Sequence, residues 1–425
     1  MRLTFNKTSF NILMILYAAY LLNIFYLKSI VVISGVITWL VSFLYIIFNF
    51  NSFVSITNKA NSFYKKITLP LFLWFVLVIL SPFAHGTDDF SYLRIIITSI
   101  GTLINLIVVL ILSKKSRTYK SLLVSFMHIY IYAIVIYVFF TTLCLLIPEI
   151  RAFIIENVYI SEGNLLSINL SKYSTRIGWA GFSGYSTSLK CLVANIFALY
   201  FIIDNYNNKQ KHNYWYILFY LITLLGEFYY SRTGVIASSI ILLTVFVVVY
   251  CKKNTINILW LISFFVVFLF SIPFVSDIAL NNASVAWIFE PILNFFSDQD
   301  LSSSSSHMLN DMLFMPSMQQ LVFGDGMYTD AYGYYMKTDL GFMRLILYFG
   351  IPGLILSYSL IYNSLLFVYR NVLSFMSGIL AIMFMLAFIV FEFKGECYLF
   401  LFNILFIICV AAEYDNHTSK NFYNV

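Results

Sequence analysis

The sequence predicts an all-α polytopic membrane protein, and three observations lead to this fold class. First, 61% of the 425 residues are hydrophobic and only 10% are charged, whereas a soluble domain has about 25% charged residues. Second, the apolar segments are long and continuous, unlike the alternating runs of about ten residues that form a membrane barrel. Third, basic residues recur in the short connections between these segments, where they record topology. The net charge of +6 is therefore no sign of a nucleic-acid partner.

Twelve apolar segments are long enough to span a bilayer. In chain order they cover residues 10–27, 30–50, 68–84, 93–113, 122–147, 180–203, 213–230, 232–250, 256–275, 340–369, 372–393 and 396–412. The first segment follows Arg2 and Lys7, and it is longer than the apolar region of a cleaved signal peptide. We therefore expect it to be retained as the first transmembrane helix.

The distribution of lysine and arginine predicts that both termini lie in the cytoplasm. With this orientation every inside connection carries a basic residue, and two long loops lie outside. The predicted organisation is helices 1–5 in 1–147, a first large periplasmic loop at 148–179, helices 6–9 in 180–275, a second large periplasmic loop at 276–339, helices 10–12 in 340–412 and a cytoplasmic tail at 413–425.

The five cysteines are scattered along the chain. They show neither a CxxC pair nor the spacing of a metal site, so the sequence predicts no metal. Cys144 and Cys397 both fall near the predicted outer face, which leaves a disulfide between them open.

Topology does not explain a set of basic residues at the predicted outer face. They are Arg151, Lys172, Arg176, Arg232, Lys337 and Arg344, with Lys190 inside the sixth apolar segment and Arg94 at the start of the fourth. Charges at or within the membrane are costly, so these residues indicate a functional site. Arg232 lies in the tight connection between the seventh and eighth segments, close to Glu227 in the preceding apolar run. Arg232 is either positioned for a ligand or is a structural arginine that snorkels or pairs with Glu227.

The first outer loop ends in the segment SKYSTRIGWAGFSGYSTSLK (171–190). It contains Arg176 and glycines that permit close approach of another chain or a ligand. Lys190 falls two to three turns into the next apolar segment, where a lone lysine indicates a functional site. The alternative explanation for these residues is structural: the charges solvate the loop, and the small residues let helices pack closely.

The second outer loop ends in the stretch from Gly324 to Gly353, which begins with a Gly-Asp-Gly turn. Asp339 would cap a helix start just before Arg344, and an outward helix N-terminus is also a site for an anion. Arginine forks match phosphate oxygens, so the outer cations together suit a pyrophosphate at the membrane face. Sugar rings stack on aromatic faces. The tyrosines of this loop that suit them are Tyr328, Tyr332, Tyr334 and Tyr335.

These features resemble the O-antigen polymerase (Wzy) family, which belongs with the O-antigen ligase to a superfamily of membrane glycosyltransferases. The resemblance rests on the arginine-containing loop before SGYSTSLK (183–190), on YYSRTGVIA (229–237), and on FGDGMY (323–328) followed by KTDLGFMRLILYFGIPGL (337–354). There are two departures. The family often has an arginine before the Gly-x-Gly turn, where this chain has His307, and ligases usually have a histidine at the position of Asp339.

The resemblance implies a GT-C-like fold in the bacterial inner membrane and two undecaprenyl-pyrophosphate-linked oligosaccharides as donor and acceptor, with no metal or cofactor. An acceptor hydroxyl would displace the lipid pyrophosphate with inversion. A chain-length regulator protein would be a further partner. The implied roles are stabilisation of the leaving group by Arg232 and Arg176 and general-base catalysis by Asp339, with His307 or Asp330 as the alternative base. The implied substrate-binding residues are Arg344, Lys337, Lys190, Lys172, His307, Tyr328 and Tyr335.

Other functions stay open. An O-antigen ligase would transfer the lipid-linked glycan to lipid A-core, although Asp339 favours the polymerase. A lipid-linked oligosaccharide flippase would have a similar number of helices, but short outer loops. A solute transporter would show discontinuous helices and a charge pair at the midplane, for which only Lys190 and Glu392 are candidates.

Overall fold

The structure is a computed structural model that describes residues 7–116, 119, 121–161, 164–165, 174–207, 214–253, 312–330, 333–372 and 376–423. Its helices are α1 (Lys7–Leu22), α2 (Val31–Phe48), α3 (Phe50–Thr57), α4 (Asn61–His85), α5 (Ser91–Ser116), α6 (Leu122–Leu146), α7 (Pro148–Asn157), α8 (Tyr185–Asn207), α9 (Trp215–Tyr230), α10 (Arg232–Lys253), α11 (Met318–Phe323), α12 (Gly341–Asn371), α13 (Met376–Glu392) and α14 (Tyr398–Tyr423). Three short 3-10 turns cover Lys28–Ile30, Ser174–Arg176 and Tyr335–Lys337. Two antiparallel hairpins pair β1 (Ile177–Gly178) with β2 (Gly181–Phe182) and β3 (Thr329–Asp330) with β4 (Gly333–Tyr334).

The outward faces of these helices expose large apolar side chains, as expected of an all-α membrane protein. Phe48 is 83% exposed, Leu69 65%, Phe72 62% and Phe139 62%. Soluble proteins rarely leave an extensive surface of this kind in water. Within the described residues, six helices are long and apolar enough to cross a membrane, or seven if the bent pair α2–α3 forms one span.

Each predicted apolar segment that the structure describes contains a helix, although residues 23–27 of the first segment and 180–184 of the sixth lie outside the helices. The segment at 256–275 lies outside the described residues, and three of the other helices are short in their apolar part (Asn11–Leu22, Arg232–Val248 and Ser377–Glu392). The count of twelve spans therefore stays a prediction. Most of the loop predicted at 276–339 also lies outside the described residues, including His307, and so does Lys172.

The second predicted segment ends at a sharp bend that the sequence did not indicate. Helix α2 stops at Phe48 and the chain turns by 80° into α3. The side chain of Asn49 donates to the carbonyl oxygen of Tyr45 (2.8 Å), one turn back. Such side-chain bonds to the backbone compete with helix continuation, and this one lies at the bend.

Helices α8 and α14 form the centre of the bundle. In their most apolar windows 83% and 78% of residues are buried, against 28% in α4. A helix that is apolar all round is buried on all sides, which agrees with the central position of these two helices. Cys144 and Cys397 are free, buried thiols in separate apolar clusters, so the disulfide that the sequence left open is not formed.

One end of the bundle, here called the basic end, is organised by the last turns of α14. Glu413 accepts hydrogen bonds from two backbone amides at the start of α4 (2.9 and 3.1 Å). Asp415 does the same for α6 (2.8 and 3.0 Å). The ammonium groups of Lys59 and Lys114 lie over the ring of Tyr414, at 4.4 and 5.0 Å from its centroid. Lys59 and Lys114 belong to connections that the sequence predicts to be cytoplasmic, and they lie at the same end of the bundle.

The opposite end, here called the tyrosine end, carries the starts of α5, α8, α12 and α14. The hydroxyl of Tyr185, the first residue of α8, donates to the carbonyl oxygens of Phe391 (2.6 Å) and Gly395 (2.8 Å). Tyr92 of α5 is hydrogen-bonded to Tyr398 of α14 through the two hydroxyls. Helices α5 and α14 therefore both run from the tyrosine end to the basic end.

Candidate functional site

The stretch that begins at Gly324 packs its first turn against a break in α12. The break lies at Gly350, whose φ of 71° and ψ of −177° belong to a region essentially restricted to glycine. Gly324 has nearly the same conformation (φ 76°, ψ −172°). A Cβ on Gly324 would lie 2.7 Å from the carbonyl carbon of Tyr348, and one on Gly350 would lie 2.6 Å from the carbonyl oxygen of Val322. Only glycine permits this contact of two backbones.

The break leaves helix carbonyls that need other donors. In an unbroken helix the carbonyl of Tyr348 would face Pro352, which has no N–H. The hydroxyl of Ser81 in α4 donates to it, with a distance of 2.7 Å. The carbonyl of Leu347 accepts from the backbone N–H of Asp325 (2.6 Å). These bonds fix the first half of α12 against the turn.

Asp89, in the connection between α4 and α5, holds the segment that follows the turn. Its carboxylate accepts from the backbone N–H groups of Tyr328 and Thr329 (2.8 Å to the nitrogen of Thr329). It also accepts from the N–H of Ser91 at the start of α5 (2.9 Å). An acidic residue at a helix N-terminus is favourable, and here it also places Tyr328 beside α5.

Arg344, one turn into α12, occupies a corner formed by two tyrosine rings. Its side chain is only 7% exposed. The guanidinium carbon lies 4.0 Å from the ring centroid of Tyr328 and 3.7 Å from that of Tyr334, and the two rings meet at 73°. The Nε atom is buried and has no hydrogen-bond partner among the described residues. Aromatic faces attract the cation but leave in-plane N–H groups to donate to a ligand.

Glu396, in the connection between α13 and α14, faces the same corner. The hydroxyl of Tyr328 donates to its Oε2 (2.7 Å) and the hydroxyl of Tyr92 to its Oε1 (3.1 Å). Burial raises the pKa of Glu396 to about 7, against the opposing effects of the Arg344 charge and the Tyr92 hydrogen bond. A carboxyl with a pKa near neutrality suits proton transfer.

Arg176 is connected to this corner through the start of α8. Its Nη1 atom would lie 4.0 Å from a Cβ at Gly184, and the next residue, Tyr185, is hydrogen-bonded to Gly395 beside Glu396. The guanidinium carbon of Arg176 also lies 5.8 Å from the ring centroid of Phe182. Arg176 thus contacts the start of α8, and the first residue of that helix reaches the connection that contains Glu396.

Arg232 begins α10 at the same end. The turn that contains Arg176 packs on the end of α9, where the Thr175 hydroxyl donates to the carbonyl of Tyr229 (3.2 Å), three residues before Arg232. The carboxyl of Glu227 accepts from Asn195 (2.6 Å) and Ser238 (2.7 Å), which ties α8, α9 and α10 together.

Lys190 is engaged at the end of α1. Its ammonium group donates to the carbonyl oxygen of Leu22 (2.6 Å) and, more weakly, to Oδ1 of Asn23 (3.4 Å). A cation at a helix C-terminus satisfies orphan carbonyls and complements the helix dipole. The contacts of Lys190 are therefore those of a cap that ties α8 to α1.

Asp339, Lys337 and Tyr335 lie in the connection that leads into α12. Burial raises the pKa of Asp339, and the charge of Lys394 opposes this rise. Lys337 is exposed and adopts a left-handed backbone (φ 56°). The hydroxyl of Tyr335 donates to Oδ2 of Asp325 (3.0 Å) in the Gly-Asp-Gly turn.

Sequence reasoning missed two members of the corner, Glu396 and Tyr92. A signal for Glu396 was present, because it directly precedes an apolar run at an outer connection, the same criterion that selected Asp339. Tyr92 carried no such signal, since a tyrosine at a membrane interface is common. Among the described residues, no group of three His, Cys, Asp or Glu side chains is arranged to hold a metal ion.

The fold and the site define a helical membrane protein with a buried arginine and a protonatable carboxyl at one end of its bundle. Comparison of the chain with protein-family models, with curated proteins and with solved structures gave no match.

Proposed function

We propose that the chain is a membrane glycosyltransferase that joins undecaprenyl-pyrophosphate-linked oligosaccharide repeat units into O-polysaccharide at the periplasmic face of a bacterial inner membrane. The observation that carries this proposal is the Arg344 guanidinium, which is buried against two tyrosine rings and whose Nε has no partner among the described residues. A buried arginine fork suits a phosphate or pyrophosphate anion, which it can bind in a bidentate manner.

The pyrophosphate of the donor would bind at Arg344, with Arg176 near by through the contacts of Gly184 and Tyr185. A hydroxyl of the acceptor sugar attacks the anomeric carbon, and the bond from that carbon to the pyrophosphate breaks as the new bond forms. The pyrophosphate leaves with the electron pair and develops negative charge. Fixed cations aimed at that charge stabilise the transition state without reorganisation.

The proposal places the tyrosine end in the periplasm and the basic end in the cytoplasm, with twelve spans and both termini inside. Support comes from the lysines gathered at the basic end, because cytoplasmic connections are rich in basic residues. The lipid tail of each substrate would lie against the exposed apolar helix faces. The partly exposed ring of Tyr334 offers a surface beside Arg344 on which a sugar can stack.

The test is the lipopolysaccharide ladder of a strain deleted for the gene. The deletion should leave lipid A-core capped with a single repeat unit, and the wild-type gene should restore the ladder. Arg344→Ala should reduce polymer by about 100-fold or more, as expected when a donor to a developing anion is lost. Arg94→Ala is the matched control, because Arg94 is an exposed arginine at the same end, and it should restore the ladder.

Equal amounts of each variant in the membrane, measured by immunoblot, are required for the comparison. A deletion strain with no capped core and long chains on the lipid carrier would show that the protein is a ligase. A deletion strain whose repeat units stay on the cytoplasmic side would show that it is a flippase. Full ladders with Arg344→Ala would remove Arg344 from the site.

A further inference from the structure

The carboxyl of Glu396 has no role in the function proposed so far, yet it shares a tyrosine with Arg344. The titratable and charged groups that face it come from every element packed around the corner. They are Tyr92 of α5, Tyr185 of α8, Tyr328 of the segment before β3, Arg344 of α12, Tyr358 of its second half, Glu392 of α13, Tyr398 of α14, Tyr334 of β4 and the adjacent Cys397.

Tyr328 contacts both groups. Arg344 lies over the face of its ring, whereas Glu396 accepts from the hydroxyl at its edge. An anion bound at Arg344 and a sugar hydroxyl that donates to Glu396 would therefore share one tyrosine as a neighbour.

Asp339, the base predicted from the sequence, has a different setting. Asp339 lies in the connection before α12, where the charge of Lys394 acts on it, and its own charge acts on Tyr334 as that of Glu396 does. Glu396 is partly exposed and is held by two tyrosine hydroxyls. The geometry favours Glu396, because its carboxylate is oriented by two donors and lies next to the anion site.

We propose that Glu396 is the proton acceptor of the transfer reaction, a role that rests on the proposed function. As the acceptor oxygen bonds to the anomeric carbon, its proton passes to a carboxylate oxygen of Glu396. The electron pair of the broken bond leaves with the pyrophosphate, and loss of the proton to water restores the carboxylate. Tyr92 and Tyr328 are positioning residues that hold the carboxylate by donating to it.

This role predicts the direction of the pH dependence. Only the carboxylate accepts a proton, so elongation should slow as the pH falls through the pKa of Glu396, which is about 7. A pyrophosphate at Arg344 neutralises a charge that favours the carboxylate, and so raises this pKa further. The acidic limb of kcat should therefore lie at higher pH than that of kcat/KM, because kcat reports the substrate complex and kcat/KM the free enzyme.

The experiment uses the full chain in lipid nanodiscs and single lipid-linked repeat units from the deletion strain, with elongation followed by gel at a series of pH values. Glu396→Gln should lower the rate by about 10²–10⁴-fold and remove the acidic limb. Glu396→Asp should keep the limb at a reduced rate. Tyr92→Phe removes a donor to the carboxylate, so it should move the limb to higher pH. Asp339→Asn should leave the limb unchanged.

Binding of inorganic pyrophosphate, measured by calorimetry, is the second measurement. Glu396→Gln should bind at least as tightly as wild type, because a negative charge next to Arg344 is gone. If this variant binds pyrophosphate and elongates at the wild-type rate, Glu396 is not the acceptor, and the proposed function stands without it. If Glu396→Gln fails to bind pyrophosphate, the Tyr92→Phe variant is the deciding measurement. An acidic limb at the same pH as in the wild type would then show that Glu396 is not the proton acceptor. If the wild type elongates nothing, the proposed function fails and this inference fails with it.

Discussion

The two ends of the bundle both place cations over aromatic rings and bury carboxyl groups, yet they use these groups differently. At the basic end Glu413 and Asp415 each accept from backbone amides at a helix start. At the tyrosine end Glu396 accepts only from tyrosine hydroxyls, and Arg344 has a buried Nε with no partner among the described residues. The carboxylates of the basic end complete helix caps, as Asp89 does at the tyrosine end, whereas Arg344 keeps a buried donor without an acceptor among the described residues.

This difference separates a charge that stabilises the fold from a charge that awaits a ligand. A carboxylate at a helix N-terminus satisfies orphan amides and contributes to stability. A buried cation without an acceptor costs free energy, and such groups persist where a ligand supplies the missing partner. Substitutions of Glu413 and Asp415 should therefore affect stability first, and substitutions of Arg344 should affect activity first.

The largest effect on stability is expected where the tyrosine end is assembled, at Gly350. Gly350→Ala puts a side chain into a glycine-only conformation and within 2.6 Å of the carbonyl oxygen of Val322. We expect a loss of about 3 kcal/mol or more, the range of strained backbone plus steric conflict. Gly378→Ala in α13 is the control, since its nearest neighbour would be a Tyr369 ring carbon at 3.5 Å. It should be neutral or stabilising by up to about 1 kcal/mol.

Thermal unfolding of the two variants in the same detergent measures this difference. The ladder of the Gly350→Ala strain should also be lost, because Tyr328 depends on the turn that packs against the break. Equal melting temperatures for both alanine variants would mean that the turn does not pack against α12 as described.

Removal of single charges should have a smaller effect. It should lower stability at the basic end and activity at the tyrosine end. Asp415→Ala removes the cap of α6 and should cost about 1–2 kcal/mol of stability, while the ladder is retained. Arg344→Met keeps an unbranched side chain but removes the buried cation, so stability should be unchanged or higher while elongation is lost. Melting temperature and ladder length, measured on both variants, give the comparison. Loss of the ladder in Asp415→Ala at normal protein levels would show that the basic end also takes part in the reaction.

Much of the fold could be predicted from the sequence, because transmembrane helices depend on local apolarity and length. The segment at 122–147 coincides with α6 (Leu122–Leu146) almost residue for residue. The bend at Asn49 could not be predicted in the same way, since asparagine also occurs inside helices. The break at Gly350 depends on a contact with Gly324, and such long-range contacts leave only a weak trace in either local sequence.

The site was predicted in part, for the same reason. Arg344 was selected because a charge at a membrane face is costly, and Tyr328 because a tyrosine of an outer loop suits a sugar ring; the structure brings the two into contact. Lys190 was selected by the same rule, yet its ammonium group caps α1. A charge inside an apolar segment reveals that it has a partner, but only the packing of the helices shows whether that partner is a ligand or a backbone carbonyl. Glu396 lies at the corner because four helices pack together there, which the local sequence does not reveal.

The smallest effect is expected at Tyr334, and it tests what the aromatic corner contributes. Tyr334→Phe keeps the ring that faces Arg344, so binding of inorganic pyrophosphate should change little. Tyr334→Ala removes the ring, and a cation–π contact of about 0.5–2 kcal/mol corresponds to about 2- to 30-fold weaker binding if the ring holds the guanidinium in place. Calorimetry on the two variants separates the ring from the hydroxyl. If phenylalanine weakens binding as much as alanine does, the hydroxyl is the group that matters, and the corner recognises its ligand by hydrogen bonding rather than by orienting the cation.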